Sequence, residues 1–488
     1  MTATTELYQT TIGLEIHVEL STASKMFCGC EVAFAGEPNT RTCPVCLGLP
    51  GSLPVPNERA VAYTAAIGLA LNCDVNAHSL FHRKNYFYPD MPKNYQISQY
   101  DHPLCTGGYV DIQGGFGSTR VGITRVHLEE DTGKSIHVGG AGRIADSDYS
   151  LEDFNRAGTP LVEIVSEPDI HSAEEARAFV TELRAIVESL GVSDVRMEEG
   201  SLRVDANVSV RRAGETEHGA KVEVKNMNSI RSVARALEHE ERRQREALEA
   251  GHTLVQETRH FDEKTGTTSS MRTKEFAFDY RYFPEPDLVP FALTEEWIED
   301  LRASLPEMPA ARRPRFASEY GLPDTDIEVL TATRGTADWF EAAAKAYGGE
   351  AKKVANWIIA DLYGLLNEAG IELSATKIAP EQLAGLVVLI DDGKISGKQA
   401  KLVLQGMFES GKDAAAVASE KGLEQVSDTG AIEAAVDEAI AENEDAAQKV
   451  RDGNVNTVGF LVGQVMKKTR GRANPGIVND LLRRKLAP

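Results

Sequence analysis

The stretch "IGLEIHVEL", residues 12–20, alternates with a period of two. Ile12, Leu14, Ile16, Val18 and Leu20 fall on one side; Gly13, Glu15, His17 and Glu19 fall on the other. That period specifies a strand with one face on a core and the other turned away from it. The outward face of such a strand is usually built from Thr, Lys or Ser, yet here two carboxylates flank an imidazole. Positions two apart on a strand point the same way, so Glu15 and His17 can reach one ion.

Two other stretches offer partners. "HLEEDTGK" (127–134) carries Glu129, Glu130, Asp131 and Lys134, and "GTPLVEIVSEPD" (158–169) sets Glu163 between Val162 and Ile164, on the face opposite both. A carboxylate inside such an apolar run is costly to bury unless it is paired or holds a cation. Carboxylates with one imidazole suit Mg²⁺ or Mn²⁺ better than a thiolate-seeking metal. Each of these residues alone reads as a solvated strand face; their recurrence is what points to a site. A fourth stretch, "FHRKNYFYPDMPKNYQISQYD" (81–101), interleaves Arg83, Lys84 and Lys93 with Tyr86, Phe87, Tyr88, Tyr95 and Tyr100. Cations among aromatic rings can hold phosphate and stack a base or sugar.

Four of the six cysteines crowd into "FCGCEVAFAGEPNTRTCPVC": Cys28, Cys30, Cys43 and Cys46, as C-x-C and C-x-x-C. In a reducing compartment such pairs favour zinc over disulfides. A closed tetrahedral four-sulfur site leaves no open position, so it orders a loop and supplies no chemistry. The alternative is four unligated thiols. Cys73 and Cys105 stand alone and read as small buried hydrophobes. There is no G-x-x-x-x-G-K-[ST] loop, H-E-x-x-H or G-x-S-x-G. "TSSMRTK", with Ser269, Ser270 and Lys274, lacks a glycine-rich oxyanion loop and is expected to be a loop without chemistry.

Around these motifs the order of elements predicts an α+β domain over 1–295, built on an antiparallel sheet with helices packed on one side. Gly-rich turns such as "GGYVDIQGGFGSTRVGITRVHLEED" mark hairpins. "SAEEARAFVTELRAIVESLG" has Ser172 and Glu175 in capping-box spacing and stops at Gly191; "IRSVARALEHEERRQREALEAG" stops at Gly251. Prolines in "YFPEPDLVP" and "LPEMPAARRP" predict a boundary near 295, then an all-helical domain over 296–410 and a small helical tail over 411–488. The net charge of −22 argues against a broadly basic nucleic-acid surface. The segment 451–488 departs from it, with Arg451, Lys467, Lys468, Arg470, Arg472, Arg483, Arg484 and Lys485 against Asp452 and Asp480. "MTATTELYQT" shows no targeting signal, and "LAGLVVLI" (383–390) is too short to span a bilayer, so a cytoplasmic protein is expected.

The motifs "GLEIHVEL", "SKMFCGC", "TCPVCLGLPGSLPVPN", "HRKNYFYPDMPKNYQISQYD", "HLEEDTGK", "NRAGTPLVEIVSEPD", "MEEGSLRVDANVSV" and "DYRYFPEPDL" together resemble the B subunit of the tRNA-dependent amidotransferases, the GatB family. The likeness extends through the tail "GNVNTVGFLVGQVMKKTRGRANPGIVNDLLRRKL". It implies a ligase that uses ATP to phosphorylate the side-chain carboxylate of Glu-tRNA(Gln) or Asp-tRNA(Asn). Ammonia then displaces the phosphate. It also implies partners: an amidase, the A subunit, that releases ammonia from glutamine; a small C subunit; and the misacylated tRNA. On that resemblance Glu15, His17, Glu130 and Glu163 are expected to hold the Mg²⁺ or Mn²⁺, with Glu129 the rival to Glu130. Lys84 and Lys93 would steady phosphate charge and Tyr86 would orient the acceptor end. The tail, through Lys467, Lys468, Arg470 and Arg472, would grip tRNA. Two further readings stay open: a zinc-bearing tRNA-binding scaffold without catalysis, and a stand-alone ligase.

Overall fold

A computed structural model describes residues 7–139, 147–217, 219–273, 277–423, 429–452, 457–469 and 473–486. The chain divides into two compact units, Met1–Pro309 and Ala310–Pro488.

The alternating stretch lies within a twelve-residue strand, Tyr8–Glu19, which sits inside a ten-stranded sheet. Its neighbours are Pro160–Ser166 on one side and Leu202–Arg212 on the other, both antiparallel. Beyond Pro160–Ser166 come the long strand Gly117–Glu130 and its hairpin partner Tyr109–Gly114. Beyond Leu202–Arg212 come Val222–Met227, Glu257–Asp262 and Thr267–Thr273. Val222–Met227 and Glu257–Asp262 run parallel, and the helix Ile230–Glu249 lies between them in the chain as the crossover such a pair requires. The "TSSMRTK" stretch, expected as a loop, is instead largely this sheet's edge strand, Thr267–Thr273; consecutive threonines and serines there pair with Glu257–Asp262. Lys274 lies outside the described residues.

Ile12, Leu14, Ile16 and Val18 are all buried, together with Val162 and Ile164 of one neighbour and Val204 and Ala206 of the other. The helices Glu58–Ala70, Ala173–Leu190 and Ile230–Glu249 feed Ile67, Phe179, Leu183, Val233 and Leu237 into this core. Each such side chain stabilises the unit by about 1.5–3 kcal/mol on burial. The sequence marks these helices at both ends. The Ser172 hydroxyl accepts from Glu175 N at 3.1 Å, and Gly191 closes that helix in the left-handed region at φ +67°. Ser229 caps the next helix, accepting from Ser232 N at 3.0 Å.

With the apolar side covered, the alternation leaves Glu15, His17 and Glu19 on the opposite side of the sheet. A small three-stranded sheet, Phe283–Pro284, His82–Asn85 and Tyr95–Ser98, carries Arg83, Lys84 and Tyr95 of the basic-aromatic stretch. It is tied to the long strand's end: Ser98 Oγ donates to Glu129 at 3.0 Å, and Gln96 Nε2 donates to the Glu130 carbonyl at 2.7 Å.

The described residues of the second unit form helices around two apolar clusters, one from Phe316 to Ala418 and one from Ile432 to Leu486. Trp297 and Leu301, in the helix Glu295–Ser304, pack on the first unit's core, so that helix belongs to the first unit. Among the described residues no helix is long and apolar enough to cross a membrane.

Candidate active site

Strand register builds the site. Arg203, His17, Glu163 and His127 stand opposite one another on four adjacent strands, and so form one row across the sheet. Glu129, two residues beyond His127, lies in the next row on the same face. His17 Nε2 is 3.3 Å from Glu163 Oε2 and 3.7 Å from Glu129 Oε1. His127 Nε2 is 3.6 Å from Glu129 Oε2 and 4.0 Å from Glu163 Oε2. One ligand atom from each of His17, Glu129 and Glu163 falls within 4.8 Å of the others. Glu129 is only 2% exposed. Two buried carboxylates and an imidazole at such separations fit one hard divalent cation, whose ligand bonds are about 2.1 Å.

Charges around the trio favour the ionised form of its two carboxyls. Burial pushes the Glu163 carboxyl up, but His127, His17 and Lys84 outweigh that and hold it well below the carboxylate range. Glu129 is likewise lowered: burial opposes, and the His127 hydrogen bond and charge and that of Lys84 win. For His17, burial works to lower the pKa, yet the hydrogen bond and charge of Glu163, with the charge of Glu129, raise it. Arg125 completes the ring. Its Nη2 is 3.2 Å from Glu163 Oε1, and its Nε donates to His127 Nδ1 at 3.3 Å. With its Nδ1 accepting from Arg125, His127 turns Nε2 toward the carboxylates of Glu129 and Glu163.

A second carboxyl pair adjoins the site. Asp131 takes Arg203 Nη2 at 2.8 Å, and Arg203 and Arg156 hold it low against the cost of burial. Glu19 is pushed up to about 8, by burial first and then by Asp131 beside it. Glu19 thus carries a proton at neutral pH that the unfolded chain releases near the ordinary 4.5. Its stabilisation is full below that value and is lost as pH rises through the folded pKa. In Glu19→Gln the amide stands in for the protonated acid. The melting temperature of the variant, relative to wild type, is expected to rise steadily between about pH 5 and about pH 8. A difference that stays flat across this window, measured by scanning fluorimetry, contradicts the assignment.

The remaining expected residues are distributed as follows. Glu15 shares the His17 face but lies in another row, opposite Asp205, and accepts from Asn207 Nδ2 at 2.8 Å; it stands outside the trio. Glu130 does not join His17; Glu129 does. The strand runs through Glu130, so consecutive side chains alternate in direction, and the Glu130 carboxylate meets Lys93 Nζ and Ile97 N instead. Lys93 is thereby engaged with Glu130, with Tyr95 and Phe27 against its ammonium. Lys84 Nζ lies 5.0 Å from the Tyr280 ring and its charge reaches Glu129 and Glu163. Tyr86 packs against Tyr88 and Tyr280; burial first, then Asp90 and Glu129, raise its pKa. His127 and Arg125 are functional candidates that the motifs alone do not single out. A signal for His127 is nonetheless present, since "VHLEE" repeats the two-residue spacing of "GLEIH".

The four clustered cysteines converge, with their sulfurs all within 4.8 Å of one another. Cys43 and Cys46 Sγ are 3.9 Å apart, close to the roughly 3.8 Å edge of a tetrahedron with ~2.3 Å zinc–sulfur bonds. Lys25, 1% exposed, sets its ammonium 3.8 Å from Cys46 Sγ. Cys46 is lowered to about 5, by the Cys28 hydrogen bond first and also by Lys25, while Cys28 is raised. These residues fit a structural Zn²⁺. In the tail, Lys467 is exposed, whereas Lys468 pairs with Glu438 at 3.1 Å and Glu442 at 2.6 Å; Arg470 and Arg472 lie outside the described residues.

The sheet thus gathers two carboxylates and an imidazole on one face, and a separate knuckle gathers four thiols. The family described as "GatB/GatE catalytic domain" matches residues 10–299, and that described as "GatB domain" matches 338–486. A protein of Carboxydothermus hydrogenoformans, named as the B subunit of aspartyl/glutamyl-tRNA(Asn/Gln) amidotransferase, is 55% identical over 98% of this chain and 99% of its own length. Proteins of the same name from Moorella thermoacetica and Geobacter sulfurreducens are 54% and 53% identical, over 98% of this chain in each case and 100% and 99% of their own. The chain belongs to the B-subunit family of the tRNA-dependent amidotransferases.

Proposed function

We propose that this chain is the ligase component of a heterotrimer, beside an amidase, the A subunit, and a small C subunit. In this reading it activates the side-chain carboxylate of Glu-tRNA(Gln) and Asp-tRNA(Asn) with ATP. The observation that carries the reading is the meeting of His17, Glu129 and Glu163 from three strands, at one buried anionic point flanked by Lys84 and Arg125. In the first step the substrate carboxylate oxygen bonds the γ-phosphorus, and the bond to the ADP oxygen breaks. In the second, ammonia nitrogen bonds the acyl carbon and phosphate leaves. The first step brings anions together, and Mg²⁺ or Mn²⁺ at the trio supplies charge neutralisation for it. His17, Glu129 and Glu163 hold that charge in place. Lys84 and Arg125 set positive charge at its rim, and Tyr86 walls the acceptor end. The chain receives ammonia from its partner, since its clustered cysteines are committed to zinc in this reading.

The test is ATP cleavage that depends on misacylated tRNA, run on the chain alone and on the assembled complex. Cleavage that is efficient only in the complex and is lost in His17→Ala supports the ligase subunit. Cleavage by the complex that His17→Ala leaves untouched marks a scaffold, and amidation completed by the chain alone with ammonia marks a stand-alone ligase. The tail is assigned to tRNA. Neutralising Lys467, Lys468, Arg470 and Arg472 is expected to weaken tRNA binding and flatten its salt dependence by up to about four counterions' worth of slope. Glutamine hydrolysis by the complex is expected to persist. An unchanged salt slope in a filter-binding titration removes the tail from the interface.

A further inference from the structure

The rings near the trio form a chain: Tyr88, Tyr86, Tyr280, Tyr282, Tyr100 and His82, each 4.4–6.5 Å from the next. Most of these contacts are edge-on or tilted. Tyr100 and Tyr282 differ, with centroids 4.4 Å apart and planes within 13° of parallel. Tyr100 is 50% exposed, and Phe87, Tyr88 and Phe283 from the same segments are exposed as well. Exposed aromatic rings gathered at the rim of a charged site mark a binding surface.

The pair is held by construction. Tyr282 precedes Phe283–Pro284, which pairs with His82–Asn85, while Tyr100 follows Tyr95–Ser98 on the other edge of that same small sheet. Asn85 Nδ2 donates to the carbonyls of Tyr280 at 3.2 Å and Arg281 at 2.8 Å, fixing the turn in which Arg281 takes φ +47°. Beside Tyr100, His82 meets its ring edge-on, and His82 Nε2 lies 2.9 Å from Asp101. The pair also borders the centre. Tyr282 is raised by burial first, then by the charges of Glu129 and Glu163, with Arg125 opposing.

We infer that Tyr100, backed by Tyr282, is a stacking shelf for an adenine ring, the base continuing the parallel stack while Lys84 and Arg125 face its phosphates. This rests on the ligase reading, which brings adenine to the site from two sources: ATP, and the 3′-terminal adenosine of tRNA. A π-face with no hydrogen-bonding code suits a base whose identity is fixed elsewhere, and stacking on one aromatic ring is worth a roughly tenfold change in affinity or more.

The test uses the assembled complex with Tyr100→Ala and Tyr100→Phe. In one arm, binding of 1,N6-ethenoadenosine triphosphate is read by fluorescence. In the other, deacylated tRNA ending in CCA is compared with tRNA ending in CC as an inhibitor. Tyr100→Ala is expected to lose roughly tenfold in one arm, with Tyr100→Phe close to wild type. Loss in the first arm assigns the shelf to ATP, and loss of the CCA advantage assigns it to tRNA. Unchanged values in both arms overturn the shelf, even in a complex that cleaves ATP. A wild-type complex without tRNA-dependent cleavage overturns the ligase reading instead, and a Tyr100→Ala loss in either arm would then still stand for the shelf.

Discussion

His17→Ala is expected to abolish amidation of misacylated tRNA by the assembled complex, even when ammonium salt replaces glutamine. The imidazole is the trio's one side chain from the central strand, and it stands opposite Glu163 in register. Removing it leaves Glu129 and Glu163 facing each other with one fewer partner and a cation site short of a donor. Loss of one element of transition-state charge stabilisation costs at least about 10²-fold in rate. Supplying ammonia directly separates this from any effect on the amidase partner. Glutamine hydrolysis is expected to continue. Near-normal rates with ammonium salt would remove His17 from the chemistry.

Glu129→Gln and Glu130→Gln are expected to fail in opposite ways. Glu129 lies beside Glu163, but its attraction to His127 and Lys84 outweighs that repulsion, so neutralisation gives up a net attraction and costs a modest amount of stability. Activity is expected to fall by about 10² or more. Glu130 pairs with Lys93 in a buried contact, the two side chains being 3% and 6% exposed. Removing the negative charge strands the ammonium, at a cost of about 3–5 kcal/mol. For a unit of this size that lowers the melting temperature by several degrees. Thermal unfolding and tRNA-dependent ATP cleavage, run on both variants, decide the matter. A fully active Glu129→Gln together with a fully stable Glu130→Gln would contradict the assignment of both residues.

The same pair shows where sequence reading reaches its limit. The strand at 12–20 was legible because five apolar residues in strict alternation leave one phase open, and that phase placed Glu15, His17 and Glu19 together. The helix beginning at Ser172 and ending at Gly191 was legible because caps are local chemistry. So was the cysteine knuckle, since two close pairs need only one convergence. "HLEED" offers three adjacent acids, and its phase depends on how far the strand continues. His127 fixes that phase, because it shares the face of Glu129 and not of Glu130. The Lys93–Glu130 pair joins residues 37 apart, one in a turn and one at the end of a strand, and no local pattern announces it. Arg125 was hidden for a similar reason: its partner Glu163 lies on a neighbouring strand, 38 residues on. The edge strand at 267–273 reads as a loop because it opens on four Thr and Ser residues and has no apolar alternation; pairing with Glu257–Asp262 makes it a strand.

The central claim is that His17, Glu129 and Glu163 hold one divalent cation. Manganese anomalous scattering from crystals of the assembled complex grown with Mn²⁺ tests it most directly. The account predicts a single strong peak in the first unit, about 2.1–2.3 Å from His17 Nε2 and from one oxygen each of Glu129 and Glu163, and absent from His17→Ala crystals. A peak at Glu130, or no peak at the trio with Mn²⁺ at saturation, would contradict it.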